Sequence, residues 1–144
     1  MRLYRGLKMP YKPQRSTSRV SASSQAQGTA FTDCPYMALL YARGPRGAVL
    51  VVDVGPDDQV RVSEELWLEP RVKRFMVWGA FDQCIRAIAP AKELRAEVRR
   101  KGIMRLSDQD KGMMLKHVID QRLAIYEPAR GNHASPFEYK RENA

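Results

Sequence analysis

Gly28-Thr29-Ala30-Phe31-Thr32-Asp33-Cys34-Pro35-Tyr36-Met37-Ala38-Leu39-Leu40-Tyr41-Ala42 is the stretch whose reading decides the fold. Thr29 to Thr32 is short and carries β-branched and aromatic residues, which suits a strand. Asp33 follows, with a side-chain oxygen able to accept from the free N–H groups of a helix start. Pro35 has no N–H to leave unpaired in a first turn. A strand therefore runs directly into a helix. Within that helix Met37, Leu40 and Tyr41 are spaced i, i+3 and i+4 and share one face. Strand and helix together are expected to wall a pocket.

Upstream, Arg2 to Leu7 reads as a first strand with Leu3 and Arg5 on the same parity, amphipathic only if Arg5 points into a polar cleft. An arginine beside a glycine on an otherwise apolar strand needs an anion or a carboxylate, either a ligand or Asp53. Lys8 to Gln27 is rich in Pro, Ser and Gln and reads as a long loop, which in a small domain is usually functional. Downstream, Ala48 to Val54 is a continuous apolar run bounded by Gly47 and Gly55-Pro56, a strand for the middle of a sheet. Gln59 to Val62 alternates weakly and Leu66 to Leu68 is apolar. Val72 to Trp78 is a strand placing Arg74, Met76 and Trp78 on one face. Phe81 to Ile88 fits helix or strand by periodicity. Pro90 opens a helix through Lys101 with Gly102 as its stop. Ser107 with Asp110 resembles a capping box for a second helix whose stripe is Leu115, Val118, Ile119 and Leu123.

At 144 residues and 44% hydrophobic content the chain suits one core, expected over 1–127, with a polar, extended tail over 128–144. No stretch approaches the ~18 apolar residues of a membrane span, and the N-terminus lacks a secretory h-region. The expectation is no membrane partner and a cytoplasmic setting, in the producing cell or one it is delivered into. Cys34 and Cys84 have no His or Cys at ligand spacing, so neither zinc nor a disulfide framework is expected, and both read as small buried residues. His117, inside the amphipathic stripe, and His133, in the tail, read as structural or solvent-facing, which makes Ser/His/Asp chemistry a poor fit. No internal repeat, GxGxxG, P-loop, CxxC pair or HExxH occurs.

The formal net charge is +9. Residues 1–32 hold no acid but carry Arg2, Arg5, Lys8, Lys12, Arg15 and Arg19. Acid gathers from Asp53 to Glu69, and base returns from Lys92 to Arg105. This asymmetry favours a phosphate-bearing ligand, a nucleic acid or an acidic protein, or else forms a solvated face that keeps the protein soluble.

Leu3-Tyr4-Arg5-Gly6, then Gly28 to Asp33, then a helix ending Leu40-Tyr41-Ala42, resembles the first two signature blocks of the ADP-ribosyltransferase fold. The nearest pattern is the diphtheria-toxin and poly(ADP-ribose) polymerase branch, in which a tyrosine-histidine-glycine strand precedes a tyrosine-phenylalanine strand and a helix carrying a second tyrosine. Arg5 stands where that branch has histidine. The cholera-toxin-like branch uses an arginine here to grip the NAD ribose and phosphate, followed by a Ser/Thr strand comparable to Thr29 and Thr32. The resemblance implies an α+β domain with a split, mostly antiparallel sheet around an NAD cleft and helices toward the C-terminus.

It also implies roles. Tyr4, Arg5, Gly6, Thr32 and Tyr41 would bind NAD, a substrate rather than a bound cofactor, with Arg5 on the ribose or phosphate, Gly6 on the nicotinamide amide and Tyr41 stacked on the nicotinamide ring. Lys73 to Gly79, with Phe81 and Ile85 to Ile88, is similar to the family's last signature strand, but Arg74 occupies the place of the catalytic glutamate. Glu64, Glu65 or Glu69 would then have to supply the carboxylate from the preceding segment, or Arg74 would bind a ligand phosphate. The implied activity is mono-ADP-ribosylation of a protein or nucleic-acid acceptor, as in a toxin, phage or mobile-element effector. The rival is a non-catalytic basic module for nucleic acid or an acidic protein, on the evidence of the acid-free N-terminal arm.

Overall fold

The computed structural model describes residues 1–8, 28–69, 72–79, 81–102, 105–129 and 138–139, and for 65–69, 72, 128–129 and 138–139 it describes the backbone alone. The loop expected over Lys8 to Gln27 lies outside the described residues from position 9 onward. Strands β1 (Arg2–Leu7), β2 (Thr29–Thr32), β3 (Ala48–Asp53), β4 (Val60–Glu69), β5 (Val72–Gly79) and β6 (Ile85–Pro90) form a six-stranded sheet in the order β4-β5-β2-β1-β3-β6. Every neighbouring pair is antiparallel. Helices α1 (Pro35–Tyr41), α2 (Ala91–Arg100), α3 (Asp108–Gln121) and α4 (Leu123–Tyr126) complete a mixed α+β domain. Backbone pairing of β7 (Pro128–Ala129) with β8 (Glu138–Tyr139) adds a short ladder within the segment expected as an extended tail.

Strand alternation sorts the core. Tyr4, Val49, Val51, Ala87 and Ala89 face the helices together with Met37, Leu94, Leu115, Ile119 and Tyr126. Leu3, Phe31, Leu50, Val52, Phe75 and Val77 face the other side, against Phe81, Ile85 and Ile88. The rings of Phe31 and Phe81 meet edge to face there, with centroids 5.2 Å apart. Both faces of β3 are buried, which is why its residues form a run rather than an alternation.

The six strands form one sheet whose shortest seam lies between β1 and β2. β1 and β3 stay in register over Arg2 to Leu7, whereas β1 and β2 are in register only at Tyr4 and Thr32. β4 exceeds β5 by one residue between Glu64 and Trp67 and again between Trp67 and Glu69. Such bulges bend and twist the strand that carries them. Gly79, Pro90 and Ser107 lie at the element ends the sequence implies, and the Ser107 hydroxyl accepts from Asp110 N at 3.2 Å.

Several local expectations change. Asp33 does not cap α1: Cys34 holds the N-cap position without a side-chain bond, and Asp33 Oδ1 instead accepts from Lys73 N at 3.1 Å, tying the end of β2 to β5. Thr32 Oγ1 accepts from Cys34 N at 3.2 Å and shapes the entry to the helix. Met37, Leu40 and Tyr41 do not share a buried face. Tyr36, Met37, Ala38 and Leu39 are buried, while Leu40 and Tyr41 are 48% and 58% exposed. The last turn of α1 rests on β1 at Gly6 with Leu39 and Ala42 buried, so Leu40 and Tyr41 fall on the face turned away from the sheet. The Gln59–Val62 and Leu66–Leu68 segments are one strand, and Phe81 to Ile88 resolves into a 3-10 turn (Phe81–Cys84) followed by β6. His117 is exposed and bonded to Gln121 Nε2 at 3.1 Å rather than lying within the stripe.

Candidate functional site

The segments quoted as signature blocks lie side by side. Arg74 of β5 is in register with Thr32 of β2, and Thr32 with Tyr4 of β1, so one rung crosses the seam. Gly6, two residues beyond Tyr4, is pressed against α1. A Cβ added there would stand 2.0 Å from Ala38 O and 2.9 Å from Ala42 N. Glycine is required at this position by the close approach of helix backbone.

Arg5 occupies the seam. Its Nη1 donates to Ala30 O at 2.7 Å, bridging β1 and β2 where their ladder has lapsed. The side chain is half-buried, and burial pulls its pKa below the ordinary arginine value. The carboxylate partner expected for it, Asp53, belongs instead to Arg2. Among the described residues the Arg5 guanidinium meets one neutral carbonyl and no acid. A guanidinium held in this way keeps most of its N–H donors for an incoming anion, and a phosphate or pyrophosphate has the geometry to take several at once.

The other expected residues disperse. Tyr4 is 2% exposed, and burial pushes its phenol up to about 12, so it is a core residue beside Arg2 under the helices. Thr32 is also buried. Thr29, on the opposite parity, has a buried hydroxyl with no hydrogen-bond partner among the described residues. Tyr41 points to solvent at the end of α1. Arg74 is exposed, with Nη2 3.7 Å from Met76 Sδ, and so does not face into the core.

Glu64 pairs with Lys73 at the surface. Glu65 and Glu69 fall on β4, where their side chains lie outside the described residues. The backbone register sets Glu69 opposite Val72, two residues along β5 from Arg74. The chain therefore runs back antiparallel between Glu69 and Val72.

Two features carried no clear signal in the sequence. On the β4–β5 pair, Arg61 stacks over Trp78 with its guanidinium carbon 4.2 Å from the ring centroid. Gly28, at φ +83°, lies against the same indole, since an added Cβ would come within 2.9 Å of Trp78 Nε1. A groove of about 400 Å³ runs between Asp33 and Cys34 at the β2–α1 joint and Gln109, Gly112, Lys116 and Asp120 of α3. It exists because α3 crosses Cys34 at a glycine. Only chain crossing, not local spacing, brings these residues together. Among the described residues, no group of three or more His, Cys, Asp or Glu is arranged to hold a metal ion, and no helix is long and apolar enough to cross a membrane.

Comparison with models of protein families, with characterised proteins and with solved structures gives no match.

Proposed function

We propose that this chain binds NAD as a substrate and transfers ADP-ribose to a macromolecular acceptor. The observation that carries the reading is Arg5, a half-buried arginine without a carboxylate among the described residues, set in the seam where β1 and β2 part. An uncompensated guanidinium costs stability unless an anion completes its bonds, so its place in the fold is best explained by a ligand phosphate. The seam also leaves β1 between Arg5 and Leu7 out of register with β2, where the backbone of Gly6 can bond the nicotinamide amide.

In this reading Arg5 grips the pyrophosphate or the adjoining ribose and fixes the ligand relative to the β1 edge. The glycosidic bond breaks with its electron pair leaving on nicotinamide. An acceptor nucleophile then bonds to the ribose carbon and gives up its proton. A carboxylate from β4, at Glu69 or Glu65, holds the ribose hydroxyl and steadies the positive charge on the ring. Positioning and preorganised charge supply most of the acceleration. Tyr41, directed to solvent, has no part in holding nicotinamide in this scheme.

Nicotinamide release from NAD, measured with the purified protein and a cell lysate as acceptor source, tests the proposal. Wild-type protein is expected to release nicotinamide. Arg5→Ala is expected to abolish release with a melting temperature within a few degrees of wild type, and Arg5→Lys to retain only a fraction of it. Absence of release from wild type across lysates, together with no NAD-dependent rise in melting temperature, overturns it.

A further inference from the structure

We infer that the surface formed by the end of α1, the turn after it and one face of α2 docks single-stranded nucleic acid, with Tyr41 as a base-stacking platform. Arg95 builds this surface. Its Nη1 donates to Ala42 O at 2.8 Å and its Nη2 to Gly44 O at 3.1 Å, so it caps the C-terminal end of α1 and holds the 44–47 turn against α2. Ala91 N donates to Gly47 O at 2.9 Å and locks the other side of the turn. Arg43 precedes the turn and Arg46 lies in it, and Lys92 and Arg99 lie on the Arg95 side of α2. All four are exposed, and among the described residues none is engaged in an ion pair.

The acids of α2 are turned elsewhere. Glu97 binds Arg100 and Arg122, and Glu93 faces the Tyr126 hydroxyl. The Lys92–Arg95–Arg99 row is therefore one sign along its length. It spans about 10 Å of helix, the distance covered by about three phosphates of a stacked strand. Beside it Tyr41 is 58% exposed. An open aromatic ring one residue from the carbonyl that anchors Arg95 suits a strand whose bases are free to stack while its phosphates follow the row. A duplex keeps its bases inside, and an acidic peptide has no base to place on the ring.

This surface rests on the fold alone and does not depend on the proposed ADP-ribosyl transfer. Fluorescence anisotropy of a labelled, unstructured uridine oligomer of about 15 nucleotides tests it, across a potassium chloride titration. Binding is expected, weakening linearly in log affinity with log salt. Arg43→Glu combined with Lys92→Glu is expected to lower affinity at least ~10-fold and to flatten the salt slope, because phosphate contacts are lost. Tyr41→Ala is expected to lower affinity at least ~5-fold with the slope unchanged, because only stacking is lost. Failure of the wild type to bind overturns the inference, as does equal competition by polyglutamate or by the same sequence as a duplex, or wild-type affinity in Tyr41→Ala. Circular dichroism of each variant checks that it is folded. Nicotinamide release scored on the wild-type protein separates the two readings: no oligomer binding with release present refutes the surface alone, and oligomer binding with no release refutes the transferase alone.

Discussion

Arg2 and Asp53, partners in register at one end of the β1–β3 ladder, are joined by two parallel hydrogen bonds, Nε to Oδ1 at 2.7 Å and Nη2 to Oδ2 at 2.9 Å. Arg2 Nη1 reaches on to Asp120 of α3 at 2.5 Å, so one guanidinium ties sheet to helix. The hydrogen bond from Arg2 is the first cause holding the Asp53 carboxyl below its usual range. Because the folded value is the lower one, the pair's contribution is complete above the ordinary carboxylate range and is lost as pH falls through the folded value. Both groups are partly exposed, which limits the effect of Asp53→Asn to about 1 kcal/mol at neutral pH. Thermal melts across pH should show the wild-type advantage at pH 7 and its disappearance in acid. An advantage that survives below pH ~2 would contradict the assignment.

Gly6→Ala is expected to destabilise by about 3 kcal/mol, lowering the melting temperature by roughly 10 °C. The added methyl meets the carbonyl of Ala38 and the amide of Ala42, which are helix backbone and cannot turn aside. Differential scanning calorimetry reads this directly. A variant as stable as wild type would mean that α1 does not rest on β1 as described.

Glu69→Gln is expected to lower the proposed ADP-ribosyl transfer by about 100-fold, the scale of losing one positioned catalytic group. The support is the backbone register that sets Glu69 opposite Val72 at the start of β5. Radiolabelled transfer to a lysate acceptor measures it. If Glu64, Glu65 and Glu69 can each be neutralised without loss of activity, the carboxylate on β4 is not part of the chemistry, and a phosphate role for Arg74 gains ground.

Both thiols should be inert in the native protein. Burial raises the Cys34 thiol above its ordinary value and pushes Cys84 up to about 11. Since the thiolate is the reactive form, a disulfide reagent at pH ~8 should label neither residue on the timescale of a free cysteine, and both on unfolding. Rapid labelling of native protein at Cys34 would show that the α3 crossing at Gly112 opens.

The sequence by itself determined the features that depend on neighbours within a turn or a strand. The β3 run is legible because each of its apolar residues wants burial whichever face it takes. Ser107 caps α3 and Gly102 follows α2 at φ +65°, because these bonds and angles close within a few residues. Tertiary structure alone decided the rest, because it rests on which distant groups meet. Asp33 serves Lys73, 40 residues away, rather than its own helix. Asp53 goes to Arg2 and leaves Arg5 in the seam with a carbonyl. Tyr41 has the spacing of a core residue, yet the face of α1 that rests on β1 carries Leu39 and Ala42 and leaves Tyr41 to solvent. Periodicity reports which residues share a face, but the faces that become buried are set by the partner elements, and those partners are chosen by the whole chain.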